Sequence, residues 1–411
     1  MAAHGPMWRR NSFQETLLGL EYAEPADQPA DLFSQACVEQ YRDVEAERFG
    51  YLFAQVFEPG VLQEVCLLEG VSYSDVENLE VLPTASLQRL AEAARAADQL
   101  SLPGQVNVAA ALISISRFGP AHRVLMGARR RASSARDVFE VAMLEFVIAN
   151  RQDDVAVSQS AFVRMRAAIE TKKLPPDRVL DACAQAVVWH LKRQEISVED
   201  YAWFTDTGRA VADRSNTVDP GALSSWYRAI AMVPAAKGEA DLTRQYMDHA
   251  RTTAEQTFAL RPRAYELHFL KTYHESSMKE HMFLTRDLSK AEESGRALIA
   301  LDPAWAPSYG ELGDAFYKFG EPTKAAELYE EAVRAGPPYV GHHLLSAANA
   351  RRKAGHGETA VAHYLAIARL ATVREQVLSE GLALAEELGE PSAAFLADAL
   401  TARRRTADGE C

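Results

Sequence analysis

Residues 308–338 read SYGELGDAFYKFGEPTKAAELYEEAVRAGPP. Apolar and small residues recur at spacings of three and four on both sides of FGEP, residues 319–322, so the stretch predicts two amphipathic helices joined by a tight turn. Gly313 and Ala325 are small enough to let the two helices approach closely, and Tyr309, Phe316 and Tyr329 fill the space beside that contact. Pro337 stops the second helix. Residues spaced this way pack against one another, which makes the stretch a building unit and not a reactive site.

The same grammar extends outward in both directions. Long segments rich in Ala, Leu, Glu and Arg carry apolar residues at helical spacing, and alternating strand-like runs are lacking. Short Pro- or Gly-bearing breaks separate them, among them LPG at 102–104, KLPPD at 173–177, VDPG at 218–221, LDPAWAP at 301–307, AGPP at 335–338 and LGEP at 388–391. Helices of roughly 12 to 20 residues joined by turns this short pack as antiparallel neighbours, so the fold class is all-α with stacked helical hairpins. Pairs are expected at 305–335, 340–371 and 374–405.

Aligned to W-x-x-L-G-x-x-Y…A-x-x-x-F…P, the opening stretch supplies Tyr309, Leu312, Gly313, Phe316, Ala325, Tyr329, Ala332 and Pro337, and so resembles a tetratricopeptide repeat. Gly320, Gly355 and Gly389 follow at 35 and 34 residues, the period of that family. The pattern weakens around this unit: Ala348 stands in for the glycine of the next pair and Arg351 for its aromatic, while Glu275 and Lys279 occupy two motif slots upstream. Trp226 occupies the tryptophan slot further back. The resemblance is specific over 305–338, weaker over 220–405 and only architectural before that. It implies a right-handed α-solenoid whose first helices line a concave face, and a peptide or partner protein held there.

Composition sets outer bounds. With 411 residues, 48% hydrophobic and 25% charged, the chain can bury an extensive core. Its 44 Lys and Arg against 57 Asp and Glu leave a formal charge of −13, which argues against nucleic acid as a partner. Cys37, Cys66, Cys183 and Cys411 show no paired spacing, which fits reduced thiols in a cytoplasm. Arg9 and Arg10 precede no apolar run of signal length, and the longest such run, 108–116, is about half of the roughly 20 residues that span a bilayer, so no membrane association is expected. Ala and Arg usage resembles that of a high-GC bacterium. The organisation expected is a poorly ordered segment at 1–30, helical hairpins at 31–218, repeats at 219–405 and a frayed tail at 406–411. The basic cluster Arg129 to Arg131 with Arg136 reads as a solvated helix end.

Counting from the repeat, the positions expected in the groove are Tyr273, Ser276, Glu280, Asp314, Tyr317, His342, Asn349 and Arg352. Glu280 and Asp314 would repel a terminal carboxylate of the kind that chaperone-binding members of the family hold. A second, chemical reading attaches to residues 263–287, where His268, His274 and His281 lie near Glu275 and Glu280. The pattern H-E-x-x-H fails because Met278 occupies the second histidine's place, and a divalent metal or acid-base site at His274 or His281 would need His342 or His343 from another pair. No cofactor is predicted. The function expected is a non-catalytic interaction protein, an adaptor or regulator that binds a peptide or partner protein. The alternative is an enzyme of small-molecule biosynthesis with its active site in the 268–352 groove. A homo-oligomer is compatible with either.

Overall fold

The computed structural model describes residues 8–20, 55–370 and 373–407, and every regular element among them is helical. Cys37, Cys411 and residues 21–54 and 408–411 lie outside the described residues. Three short helices come first: α1 (Ser12–Leu18), α2 (Pro59–Glu69) and α3 (Tyr73–Glu77). Next comes α4 (Ala85–Arg95), which leads into paired helices. The pairs are α5 (Leu102–Ser114) with α6 (Phe118–Arg131), α7 (Ala135–Arg151) with α8 (Val155–Glu170), and α9 (Pro176–Arg193) with α10 (Val198–Ala212). They continue as α11 (Pro220–Ala236) with α12 (Ala240–Leu260) and α13 (Ala264–Glu280) with α14 (Leu288–Leu301). The last three are α15 (Ala306–Lys318) with α16 (Pro322–Ala335), α17 (Val340–Lys353) with α18 (Gly357–Ala368), and α19 (Glu375–Glu387) with α20 (Ala393–Ala407). Each pair packs on the next, and the first helices α9 and α11 also pack on each other. The chain is therefore an all-α array of stacked hairpins. Among the described residues no helix is long and apolar enough to cross a membrane.

Local chemistry explains the boundaries. Ser101, Asp154, Ser197 and Asp219 each accept a backbone N–H of the first turn they precede, which satisfies a donor the helix cannot satisfy itself. Ser134 and Asp137 form a reciprocal capping box at α7. Gly320, Gly355 and Gly389 have φ of 82°, 80° and 67°. The 34–35 residue period is thus the recurrence of a left-handed turn between the first and second helix of each pair, a conformation that glycine adopts without a Cβ clash.

The opening stretch packs as its residues dictate. Leu312, Phe316, Ala325, Tyr329 and Ala332 are all buried. A Cβ placed on Gly313 would lie 2.8 Å from the Tyr329 ring, so Gly313→Leu is expected to cost about 1–3 kcal/mol by overpacking. A melting temperature equal to wild type would disprove this account of the α15–α16 contact.

The N-terminal segment departs from expectation. Residues 8–20 are not loose: Phe13 and Leu17 are 1% exposed. Phe13 stacks edge-on against Phe57 at 4.9 Å and Trp305 at 5.2 Å between ring centres. Asn11 donates to the carbonyls of Ala335 (3.0 Å) and Pro337 (2.7 Å), while buried Arg117 donates to the Leu17 carbonyl at 2.7 Å. From α2, the Glu64 carboxylate accepts the backbone N–H groups of Tyr339 (2.6 Å) and Gly341 (2.9 Å) at the start of α17. The N-terminal helices therefore tie the α5–α6 hairpin to the α15–α16 and α17–α18 hairpins, and one small apolar core joins Phe13, Leu17 and Leu62 of the N-terminal helices to Trp305 before α15, with Tyr339 before α17 packed against it.

Candidate functional site

The inward faces of four successive first helices, α7, α9, α11 and α13, wall a cavity of about 1040 Å3. On α9 the face reads Asp181, Gln185, Val188, Lys192; on α11 it reads Ser225, Arg228, Ala229, Met232; on α13 it reads Tyr265, His268, Phe269, Glu275, Ser276, Lys279. Steps of three and four keep each set on one side of its helix. Apolar surface comes from Met143 and Val147 of α7, Met247 of α12, and Phe283, which stands 61% exposed at the rim.

Most charges on this wall are already matched. Arg261 holds Asp219 at 2.7 Å and Glu266 at 3.0 Å, and Arg263 also holds Glu266, which is 1% exposed. Arg178 reaches Glu140 at 3.3 Å and Asp181 at 3.5 Å. Glu280 is paired with Arg244 at 2.7 Å. Lys279 is shared between Glu275 (2.9 Å) and Glu311 (3.0 Å). Burial opposes charge on both acids; the attraction of Lys279 overcomes it at Glu275 and lowers that carboxyl's pKa, whereas burial and the Glu275 charge raise that of Glu311. Burial, helped by the nearby Arg228 and Lys271, pushes His268 down to about 3, so its ring is neutral at physiological pH.

Asp181 is open to the cavity yet walled in by protein, and burial pushes its carboxyl up to about 7 against the pull of Arg178. The unfolded chain releases that proton near 3.8. The native state therefore binds the extra proton between those two values, and stability falls as pH rises through this window. Asp181→Asn is expected to be as stable as wild type at pH 4 and more stable at pH 8, as thermal melts across this range would show. A constant difference at all pH values would contradict the assignment.

Of the groove positions expected from the repeat, Ser276 and Glu280 line this cavity. Tyr273 does not: it is 6% exposed and packs with Ala231, Met247 and Ala250. Neighbouring positions on a helix point 100° apart, and α13 lacks the glycine and aromatic that fix the rotation of α15, so counting from the motif aimed Tyr273 at the wrong side. Asp314, Tyr317, His342, Asn349 and Arg352 stand on α15 and α17, away from the cavity wall. The Tyr329 hydroxyl donates to Asp314 at 2.6 Å, the Tyr364 hydroxyl to Asn349 at 3.3 Å, and Lys353 lies 4.5 Å over the Tyr317 ring. His342 and Arg352 are exposed.

The histidines do not converge. His343 is 3% exposed beneath Gly310, and His274 lies against the Tyr273 ring. His281 begins a π-helical turn (His281–Thr285) after α13 and contacts Thr285 and Arg244, both at 2.9 Å. Among the described residues no three His, Cys, Asp or Glu side chains are placed to hold a metal ion.

No family model matches the chain, and no curated protein matches it in sequence. Solved structures resemble it in fold. A tetratricopeptide repeat protein from Parabacteroides merdae is 12% identical over 69% of this chain and 98% of its own, with a TM-score of 0.40. The Pseudomonas aeruginosa protein pilF is 16% identical over 56% of this chain and 92% of its own, with a TM-score of 0.37. Human IFIT1, solved as a dimer with PPP-AAAA, is 12% identical over 89% of this chain and 85% of its own, with a TM-score of 0.44.

Proposed function

We propose that this chain is a non-catalytic binding protein, an adaptor or regulator, whose cavity between α7 and α13 holds a peptide segment of a partner protein. The carrying observation is that four consecutive hairpins contribute one inward face each to a single space of about 1040 Å3. That volume lies just above the roughly 300–1,000 Å3 typical of small-ligand pockets. Its walls repeat hairpin by hairpin, which suits an extended chain that presents successive side chains to successive helices. Catalysis finds less support, because a general base must be free to take a proton: two arginines engage Glu266, Arg244 engages Glu280, Lys279 engages Glu275, and Asp181, although pushed up to about 7, is held by Arg178 at 3.5 Å.

Selection of a random linear-peptide library on the purified full chain tests this reading. Ser225→Trp places a large ring in the cavity without touching the ion pairs. Peptide families enriched on wild type are expected to bind the variant at least about tenfold more weakly. Equal enrichment on both proteins, or no enrichment on either, would overturn the proposal.

A further inference from the structure

We propose that Arg228 and Lys192 form a carboxylate-binding site on the cavity's inner wall, which takes an acidic group of the bound segment. This rests on the peptide-binding reading above and adds the chemistry of the ligand. Arg178, Arg261, Arg263 and Lys279 each hold a carboxylate. Arg228 and Lys192 line the same cavity, and among the described residues neither has a carboxylate within ion-pair distance. The acid that acts on Arg228 is Glu275, which Lys279 already holds at 2.9 Å. Arg228 gives one nitrogen, Nη1, to the Thr272 carbonyl (3.2 Å) and the Ser276 hydroxyl (3.4 Å). These contacts fix the guanidinium between α11 and α13 and leave its second nitrogen, Nη2, for a ligand.

Arg228 is half-buried without a matching carboxylate, which an incoming anion supplies, and Lys192, exposed at the same cavity, adds a second positive charge. Burial lowers the pKa of both groups, and Lys279 and Arg151 lower that of Lys192 further. A planar guanidinium presents parallel N–H donors that match a carboxylate in a two-pronged contact. The dianionic charge of a phosphate fits less well, because Asp177, Asp181 and Glu275 share the cavity and would repel the second charge. Val188 lies one turn from Lys192, and Met232 one turn from Arg228, so an apolar group is expected beside the acid.

Four probes test the site by calorimetric titration of the full chain. They are N-acetylmethionine, which has a free carboxylate beside an apolar side chain; its carboxamide; N-acetylglutamic acid α-amide, whose carboxylate is on the side chain; and inorganic phosphate. N-acetylmethionine is expected to bind at least about tenfold tighter than its carboxamide. Lys192→Met and Arg228→Met are each expected to abolish that preference, and Arg228→Lys is expected to keep part of it. Whichever carboxylate probe binds tighter tells a chain terminus from an Asp or Glu side chain. Equal binding of acid and amide, retention of the preference in both Met variants, or no binding of any probe would overturn the inference. Tighter binding of phosphate would overturn the ligand class. Peptides that are selected on wild type and lost on Ser225→Trp, yet show no acid preference, would remove this inference alone; failure of the peptide selection would remove the reading beneath it.

Discussion

Phe13→Ala is expected to destabilise the protein by about 3–5 kcal/mol, the range for truncating a buried phenylalanine. The side chain is 1% exposed and touches Phe57 and Trp305, residues 44 and 292 positions further along the chain. Its loss leaves a void where three aromatic rings meet, and the surrounding rings are held too firmly to fill it: Trp305 is 2% exposed and lies under Lys271 at 4.3 Å. Urea unfolding of the variant and of Val163→Ala, a change at a 63% exposed site that is expected to stay within about 0.5 kcal/mol, gives the comparison. If the Phe13 variant unfolds at the wild-type midpoint, the N-terminal helix contributes nothing to the core and the tie across the array does not exist in solution.

That helix also shows where sequence reasoning stops. NSFQETLLG, residues 11–19, carries a capping asparagine, apolar Phe13, Leu17 and Leu18, and a terminal glycine with φ of 71°. These are helix signals, yet a seven-residue helix has no stability of its own, and its partners lie near residues 57, 117, 305 and 335. Only the fold brings them together. The C-terminal hairpins were legible because their signals are local: Gly320, Gly355 and Gly389 mark the turns, and Gly313 and Tyr329 touch across one turn of chain. Little of the cavity was legible. Ser276 and Glu280 follow from the repeat numbering, but the α9 and α11 faces carry no motif. Their signal is a mixed stripe at helical spacing, Asp181, Gln185, Val188, Lys192 and Ser225, Arg228, Met232, where a purely packing face would be apolar and a solvated one wholly polar.

The packing behind that stripe yields the second large effect. Gly208 of α10 faces Trp226 of α11, which is 1% exposed, and a Cβ built on Gly208 would sit 2.3 Å from Cη2 and 2.4 Å from Cζ3 of the indole. No non-bonded carbon contact of that length survives, so any side chain forces α10 and α11 apart or turns the indole into Leu223, Phe204 and other neighbours of the same core. Gly208→Leu is expected to cost about 3 kcal/mol or more. Gly60 lies in helix α2 with nothing within 4 Å of its Cβ position, so Gly60→Leu is expected to be neutral or to gain up to about 1 kcal/mol from helix propensity. Thermal melts of the two variants should therefore move in opposite directions or differ by several kcal/mol, although the substitution is the same. The consequence reaches the cavity, since Arg228, Ala229 and Met232 ride on the same helix as Trp226 and line the opposite space. A Gly208→Leu protein that melts like wild type would mean that α10 and α11 are not seated as described, and the placement of Arg228 on the cavity wall would fall with it.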